Sequence, residues 1–296
     1  MSNITNAQNP FYGQYHTPHE AVPFDRIETE HYEPAILEGI KLQNAEIEAI
    51  IQNPEKADFT NTIEAFEESG KLLDKVVAVF GNMLSAETND DLQELAQKIM
   101  PLLSEHSNNI TLNEKLFARV KEVYNQKETL QLTQEQKQLL ENAYNSFVRH
   151  GANLEGEARE EYRRLTNELS KLTLTFSENN LKETNAYQML LTKKESLAGL
   201  PKIIIEAAAE TAKSEEKEGW AFTLHAPSYV PFMTYSDNRD LRQKLYMAYN
   251  TKCTHDNEFN NIDIVKNIAN TRMKIAQLLG YKDYAEYTLK KRMAEN

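Results

Sequence analysis

Histidines and carboxylates gather near the start of the chain. Residues 16–35, HTPHEAVPFDRIETEHYEPA, carry His16, His19 and His31 beside Glu20, Asp25, Glu28, Glu30 and Glu33. Imidazole nitrogen and carboxylate oxygen are ordinary zinc ligands, and a helical pair of histidines must lie one turn apart for both rings to reach one ion. The spacing works against that chemistry. Pro18 separates His16 from His19 and disfavours helical geometry at Thr17, and His31 and Glu33, two apart, would point to different faces of a helix. The stretch reads instead as an extended polar arm leading into a helix near Pro34, and no metal ligand is assigned to it.

Elsewhere the inventory of chemistry is short. The chain has no H-E-x-x-H, no glycine-rich phosphate loop, no serine nucleophile elbow and no Cys-x-x-Cys pair, so no catalytic residue is assigned. The lone Cys253 excludes an internal disulfide, and with no motif pairing it with His255 it reads as a structural thiol. His106, in LLSEHSNNI, has no partner at ligand spacing and reads as structural. His225 ends a strand-like run before a proline-flanked turn, a suitable place for a binding residue, although such a histidine is more often a satisfied, partly buried side chain. In YVPFMTY, Tyr229 and Tyr235 offer flat apolar faces with hydroxyls that could line a peptide groove, although core packing is the commoner role of such half-buried tyrosines.

The elements that must position these residues are mostly helical. Glycine is scarce, at nine residues in 296, while Glu, Gln, Lys, Leu and Ala abound, a composition that favours helix. The spacing of a capping box recurs at Asn61 and Glu64, Thr111 and Glu114, Thr133 and Gln136, and Asp283 and Glu286. Apolar stripes of helical period follow these starts: Ile63, Phe66, Leu73, Val76 and Phe80; Leu92, Leu95, Ala96 and Ile99; Leu140, Ala143, Phe147 and Val148, closed by Gly151. Tyr162, Leu165, Leu169, Leu172 and Phe176 form a narrow seam suited to a long helix. Pro101 should kink or divide its helix. Only AYQMLLT, 186–192, and GWAFTLH, 219–225, break the rhythm, as two strands of a small sheet separated by a helix from Pro201 to about Ala212. Pro227 and Pro231 then suggest an extended crossing to a helix near Asp237.

Charge and hydropathy narrow the partners. A net charge of -12 would repel a phosphate backbone, and the mean hydropathy of -0.64 leaves no window apolar enough to span a bilayer. Neither nucleic acid nor membrane is an expected partner. MSNITNAQNPF lacks the basic start and apolar core of a secretion signal, and cytoplasm and periplasm both remain open.

The order of the motifs resembles the N-terminal portion of the thimet oligopeptidase family of zinc metallopeptidases, nearest its bacterial dipeptidyl carboxypeptidase and oligopeptidase A branch. The pieces run in family order: PFDRIETEHYEPAI from Pro23, DFTNTIEAFEESGKLLDKV from Asp58, SEHSNNITLNEKLFARV from Ser104, and GANLEGEAREEYRRLTNELSKLTLTFSENNLKETNAY from Gly151. They continue with LAGLP near Leu200, WAFTLHAPSYVPFMTYSDNRDLRQKLYMAYN from Trp220 and IANTRMKIAQLLGYKDYAEYTL from Ile268. The resemblance implies a mostly α-helical ellipsoid with a deep channel. It also implies one zinc held by the histidines of H-E-x-x-H and a downstream glutamate, the motif glutamate acting as general base. In the family those ligands lie far downstream of the segment matching Ala276 to Tyr281, which only fifteen residues follow here. No metal or catalytic residue is therefore carried over.

On this reading residues 1–28 form the arm, 29–185 a helical N-terminal domain, 186–235 a small β and loop insertion with one helix, and 236–296 the start of the peptidase domain. The chain is expected to form one wall of a channel that admits short oligopeptides, with His225, Tyr229 and Tyr235 as channel candidates. Zinc is expected in the full-length protein and not in this chain, whose partner would be the C-terminal catalytic half. The alternative is a stand-alone helical module that binds peptide without catalysis. A reading frame continuing past Asn296 to H-E-x-x-H would favour the first, a stop codon the second. If a missing half covers apolar surface, the isolated chain should expose a large hydrophobic patch through which it could form a homodimer.

Overall fold

The computed structural model describes residues 9–294. The mostly helical expectation holds: helices are joined by short turns, and the one sheet among the described residues has two strands. No helix among the described residues is long and apolar enough to cross a membrane. The chain divides into two compact units, Met1–Lys171 with Thr271–Asn296, and Leu172–Asn270.

In the first unit the residues read as an extended arm are, from residue 9 onward, a series of 3-10 turns at Pro10–Tyr12, Pro18–Glu20, Phe24–Arg26 and Thr29–His31. They are short of regular structure but not detached. Phe11 is fully buried against Tyr32, with ring centroids 5.3 Å apart, and Lys75 donates to the carbonyls of Phe11 and Gly13 at 3.1 and 2.7 Å. Burying one aromatic ring supplies enough apolar surface to hold a segment that its polar composition alone would leave free.

Helix α1, Tyr32–Gln52, starts two residues before Pro34, where the missing donor is harmless. After it a π-helical turn at Phe59–Glu64 leads into α2, Ala65–Glu67, and α3, Lys71–Ala86. The start signal here lies three residues earlier than the sequence spacing implies: Asp58 caps the turn and Asn61 is the reciprocal member of its box. Helix α4, Asp90–Thr111, is capped by Asn89, and α5, Glu114–Asn125, by Asn113 rather than Thr111. An Asn nearer the first free amides outcompetes a Thr still inside the preceding helix. Thr133 and Gln136 do form the expected box at the head of α6, Gln134–Arg149, and Gly151 takes the left-handed conformation, φ 86°, beyond its end.

Pro101 neither divides nor ends α4, which runs continuously through it. Proline removes one backbone donor and costs about 3 kcal/mol in a helix interior, yet tertiary burial on both sides outweighs the loss. Ala96 and Ile99 are fully buried upstream, and downstream His106 bonds Gln43 at 2.7 Å. Helix α7, Gly156–Ala186, packs on α4 through a polar ladder as well as the apolar seam. Asn108 donates to Thr166 at 2.9 Å, Ser104 to Asn167 at 2.8 Å, and Asn167 to Glu105 at 2.7 Å. Of the seam itself, Tyr162 and Leu165 are buried, whereas Phe176 is exposed.

In the second unit β1, Gln188–Leu191, pairs antiparallel with β2, Trp220–Thr223, in the register Gln188 to Thr223 and Leu191 to Trp220. Helix α8, Lys202–Ser214, joins them, close to the expected span. The expected extended crossing is replaced by a helix, α9, Ala226–Tyr235, followed by α10, Arg239–Asn250. Pro227 occupies the first turn, where no donor is needed, and Pro231 forfeits a single bond. Burial of Phe232 against Phe222 holds the segment helical despite it. Helix α11, Ile262–Leu278, begins in this unit, and α12, Tyr284–Leu289, belongs to the first. Asp283 caps α12 by accepting from the Glu286 amide at 2.9 Å. Exposed large apolar side chains include Ile203, Val230, Tyr246, Met247 and Val265.

Two consequences can be measured. A Cβ placed on Gly39 would lie 2.9 Å from the Leu73 backbone, so α1 and α3 meet at glycine contact distance. Gly39→Ala is expected to lower unfolding stability in urea by about 1–3 kcal/mol, as overpacking does; an unchanged midpoint would contradict the close approach. His106 is buried, which pushes its imidazole below the ordinary value of 6.5. The unfolded chain therefore takes up the proton first, so the stability that the neutral ring contributes is present above about pH 6.5 and is lost as pH falls below it. His106→Gln should flatten the decline of the urea midpoint between pH 7 and 5, and an identical decline in both proteins would contradict this role.

Candidate functional site

The three N-terminal histidines do not converge. His16 and His19 are exposed, each with a positive φ, 51° and 59°. The His31 Nδ1 accepts the Glu28 amide at 2.8 Å, completing a local turn. Among the described residues no group of three or more His, Cys, Asp or Glu could hold a metal ion. The donors among the described residues are therefore not arranged to hold a zinc ion.

Cys253 is buried and its thiol is pushed up to about 11, first by burial and then by its hydrogen bond and proximity to Glu183. A thiol so raised is protonated near neutrality and a poor nucleophile. His255 lies beside Glu183, 3.8 Å from its Oε1.

The remaining candidates belong to α9 of the second unit. Ala221 and Phe222, adjacent in β2, are both buried, and Phe222 meets Phe232 edge to face with centroids 4.6 Å apart. That contact fixes the rotation of α9. His225 precedes its first turn with extended backbone, φ -67° and ψ 140°. Its carbonyl accepts from the Ser228 and Tyr229 amides at 2.9 and 2.8 Å, leaving the imidazole exposed. Tyr229 lies four residues on, in the first turn of α9. It is half-buried and stacks on Tyr249 of α10, with centroids 4.1 Å apart and planes at 19°. Burial raises its hydroxyl above the ordinary 10.0, a hydrogen bond with Asn250 opposes this, and Tyr249 and Tyr246 add to the rise. Tyr235 is 51% exposed at the far end of α9. Six positions from Tyr229, it falls on another side of the helix. Tyr229 and Tyr235 therefore lie on different sides of α9, and His225 is exposed just before its start.

Sequence reasoning missed the α10 half of this surface. Tyr246 is 50% and Tyr249 38% exposed, and with Asn250 they lie within reach of Tyr229. The spacing of three between the tyrosines in LYMAYN is the signal that could have found them. Stacked rings fringed by hydroxyls, a carboxamide and an imidazole can hold apolar side chains on their faces while bonding a peptide backbone at their edges.

Comparison with known proteins agrees with the order of motifs. Residues 232–296 match the model of Peptidase family M3. Dipeptidyl carboxypeptidase of Escherichia coli (strain K12) is 35% identical over 288 residues, 97% of this chain and 42% of that protein. Oligopeptidase A of Salmonella typhimurium (strain LT2) is 30% identical over 292 residues, again 97% and 42%. Probable cytosolic oligopeptidase A of Arabidopsis thaliana is 28% identical over 303 residues, 99% and 42%. The chain therefore spans about two fifths of the length of these relatives. With the identity running along nearly all of its own length, the chain belongs to Peptidase family M3.

Proposed function

We propose that this chain is the N-terminal, channel-wall part of a zinc metallopeptidase that hydrolyses short oligopeptides in the manner of a peptidyl-dipeptidase, and that it binds peptide without cleaving it alone. The observation that carries the reading is the 35% identity to a dipeptidyl carboxypeptidase along 97% of the chain. The lack of any H-E-x-x-H in the sequence supports the division of labour. In such an enzyme zinc would polarise the scissile carbonyl and activate water. What these residues contribute is a surface. His225 and the Tyr229–Tyr249 pair contact oligopeptide in this reading, and Tyr235 marks a separate stretch of wall. A wall of this kind selects substrates by size and conformation, since an extended peptide can lie along it and a folded protein cannot. The natural partner is the catalytic half of the same protein, in cytoplasm or periplasm.

The test is a hydrolysis assay of the isolated chain with an internally quenched oligopeptide and added zinc. Fluorescence should stay at the blank rate with or without metal. Hydrolysis that rises with zinc and follows the chain through further purification would overturn the assignment.

A further inference from the structure

The arm at the start of the first unit is held at its tip and strained along its length. Asn9 and Phe11 are buried, and Asn9 shapes the segment by accepting the Phe11 amide at 3.0 Å and donating to the His31 carbonyl at 2.8 Å. The Phe11 ring enters a notch walled by Tyr32 of α1, whose own ring lies 5.2 Å from that of Phe80 in α3. Lys75 of α3 closes the notch: its ammonium donates to the Phe11 and Gly13 carbonyls and lies 4.0 Å over the Tyr15 ring. A buried aromatic anchor, gripped main-chain carbonyls and a cation against a second ring are the contacts by which a groove holds a short peptide. Beyond this tip the attachment is thin. Between Phe11 and Tyr32 only Pro23 is buried, and His16, His19 and Glu20 take positive φ, 51°, 59° and 55°, a conformation unfavourable for a residue that carries a Cβ. The Tyr15 hydroxyl is shut from solvent with no hydrogen-bond partner among the described residues, a further cost of the docked state.

We propose that residues 9–15 are a releasable strap that occupies the notch between Tyr32, Phe80 and Lys75 as a peptide ligand would. On release the Phe11 ring, the Lys75 bonds and the Tyr15 ring let go together, and residues 16–20 relax out of the left-handed region. Helices α1 and α3 stay joined through their own close contact at Gly39 and Leu73. The ligand the notch fits is the strap's own segment, Asn-Pro-Phe-Tyr-Gly-Gln-Tyr. Pro10 presets its turn, the Asn9 side chain closes it, and the aromatic ring follows. Three strained residues and an orphaned hydroxyl set against one buried ring bring the docked and released states close in free energy, the condition for a segment that opens locally below global unfolding. This device belongs to the first unit and does not depend on the peptide-wall reading of α9 and α10.

The experiment uses the full 296-residue chain. In native-state hydrogen exchange the Phe11 and Tyr12 amides, both bonded to Asn9, should exchange at least about tenfold faster than the slowest amides of α1 and α3, at a rate that low urea leaves unchanged. Protection equal to that of the helices, or opening that urea accelerates in step with theirs, would overturn release. A fluorescent peptide of residues 9–15, blocked at both ends, then probes the notch by anisotropy. Phe11→Ala, which empties the notch, should keep its helical circular dichroism and bind this peptide at least about tenfold more tightly than the unaltered chain, whose tethered arm competes at high effective concentration. Ala in place of the peptide's Phe, or Lys75→Gln added to Phe11→Ala, should each weaken that binding by about three- to tenfold or more. Equal binding to both proteins, or binding indifferent to the Phe and to Lys75, would place the peptide elsewhere and overturn the notch. No binding to a folded Phe11→Ala chain would overturn it too. Loss of the helical signal in Phe11→Ala would make the arm an integral part of the unit and overturn the strap.

Discussion

The contact between Phe222 and Phe232 decides what the candidate surface looks like. Both rings are fully buried, one from the short sheet and one from α9, and their burial sets the rotation of a helix that two prolines would otherwise weaken. With Phe232 turned inward, Tyr229 lies along the edge of the core, where it meets Tyr249, and Val230 and Tyr235 face solvent. A different rotation would bury the tyrosines and leave no aromatic surface. The site is therefore a by-product of core packing in the second unit, held by apolar area rather than by ion pairs.

Periodic apolar side chains made much of the fold legible in the sequence. Ile63, Val76, Phe80, Ile99, Leu140 and Phe147 are all buried where a helical stripe places them. Both strands fall inside the predicted runs. Signals that depend on competition between neighbours were less legible. The spacing rule that correctly pairs Thr133 with Gln136 also pairs Thr111 with Glu114, but Asn113 lies nearer the helix start and takes the cap. Proline misled twice for one reason: Pro101 and Pro231 each cost a backbone bond, and tertiary burial, invisible in a local window, outweighs it. The polar ladder of Ser104, Asn108, Thr166 and Asn167 was hidden as well. Polar residues buried in pairs look like a solvated face until their partners are known.

The candidate site was half legible. Tyr229 announced itself through its aromatic neighbours and Pro-flanked turn, whereas its partner Tyr249 lies twenty residues on, across a helix junction that the prolines seemed to forbid. Histidine and carboxylate content points to residues 16–35, yet there His19 lies in a 3-10 turn and His31 accepts an amide from its own segment. Chemistry inferred from residue type alone failed at that point because geometry, not composition, makes a ligand set. The order of seven sequence motifs carried the family assignment, which neither the helices nor the site would have supplied.

An account in which this chain offers a peptide wall without hydrolytic machinery concentrates binding on α9 and α10. Hydrogen–deuterium exchange of the chain with and without saturating oligopeptide tests it most directly. Slowed exchange of backbone amides within residues 225–250, with the N-terminal 16–35 stretch unaffected, is the predicted result. Protection centred on residues 16–35, or none anywhere at saturation, would contradict it.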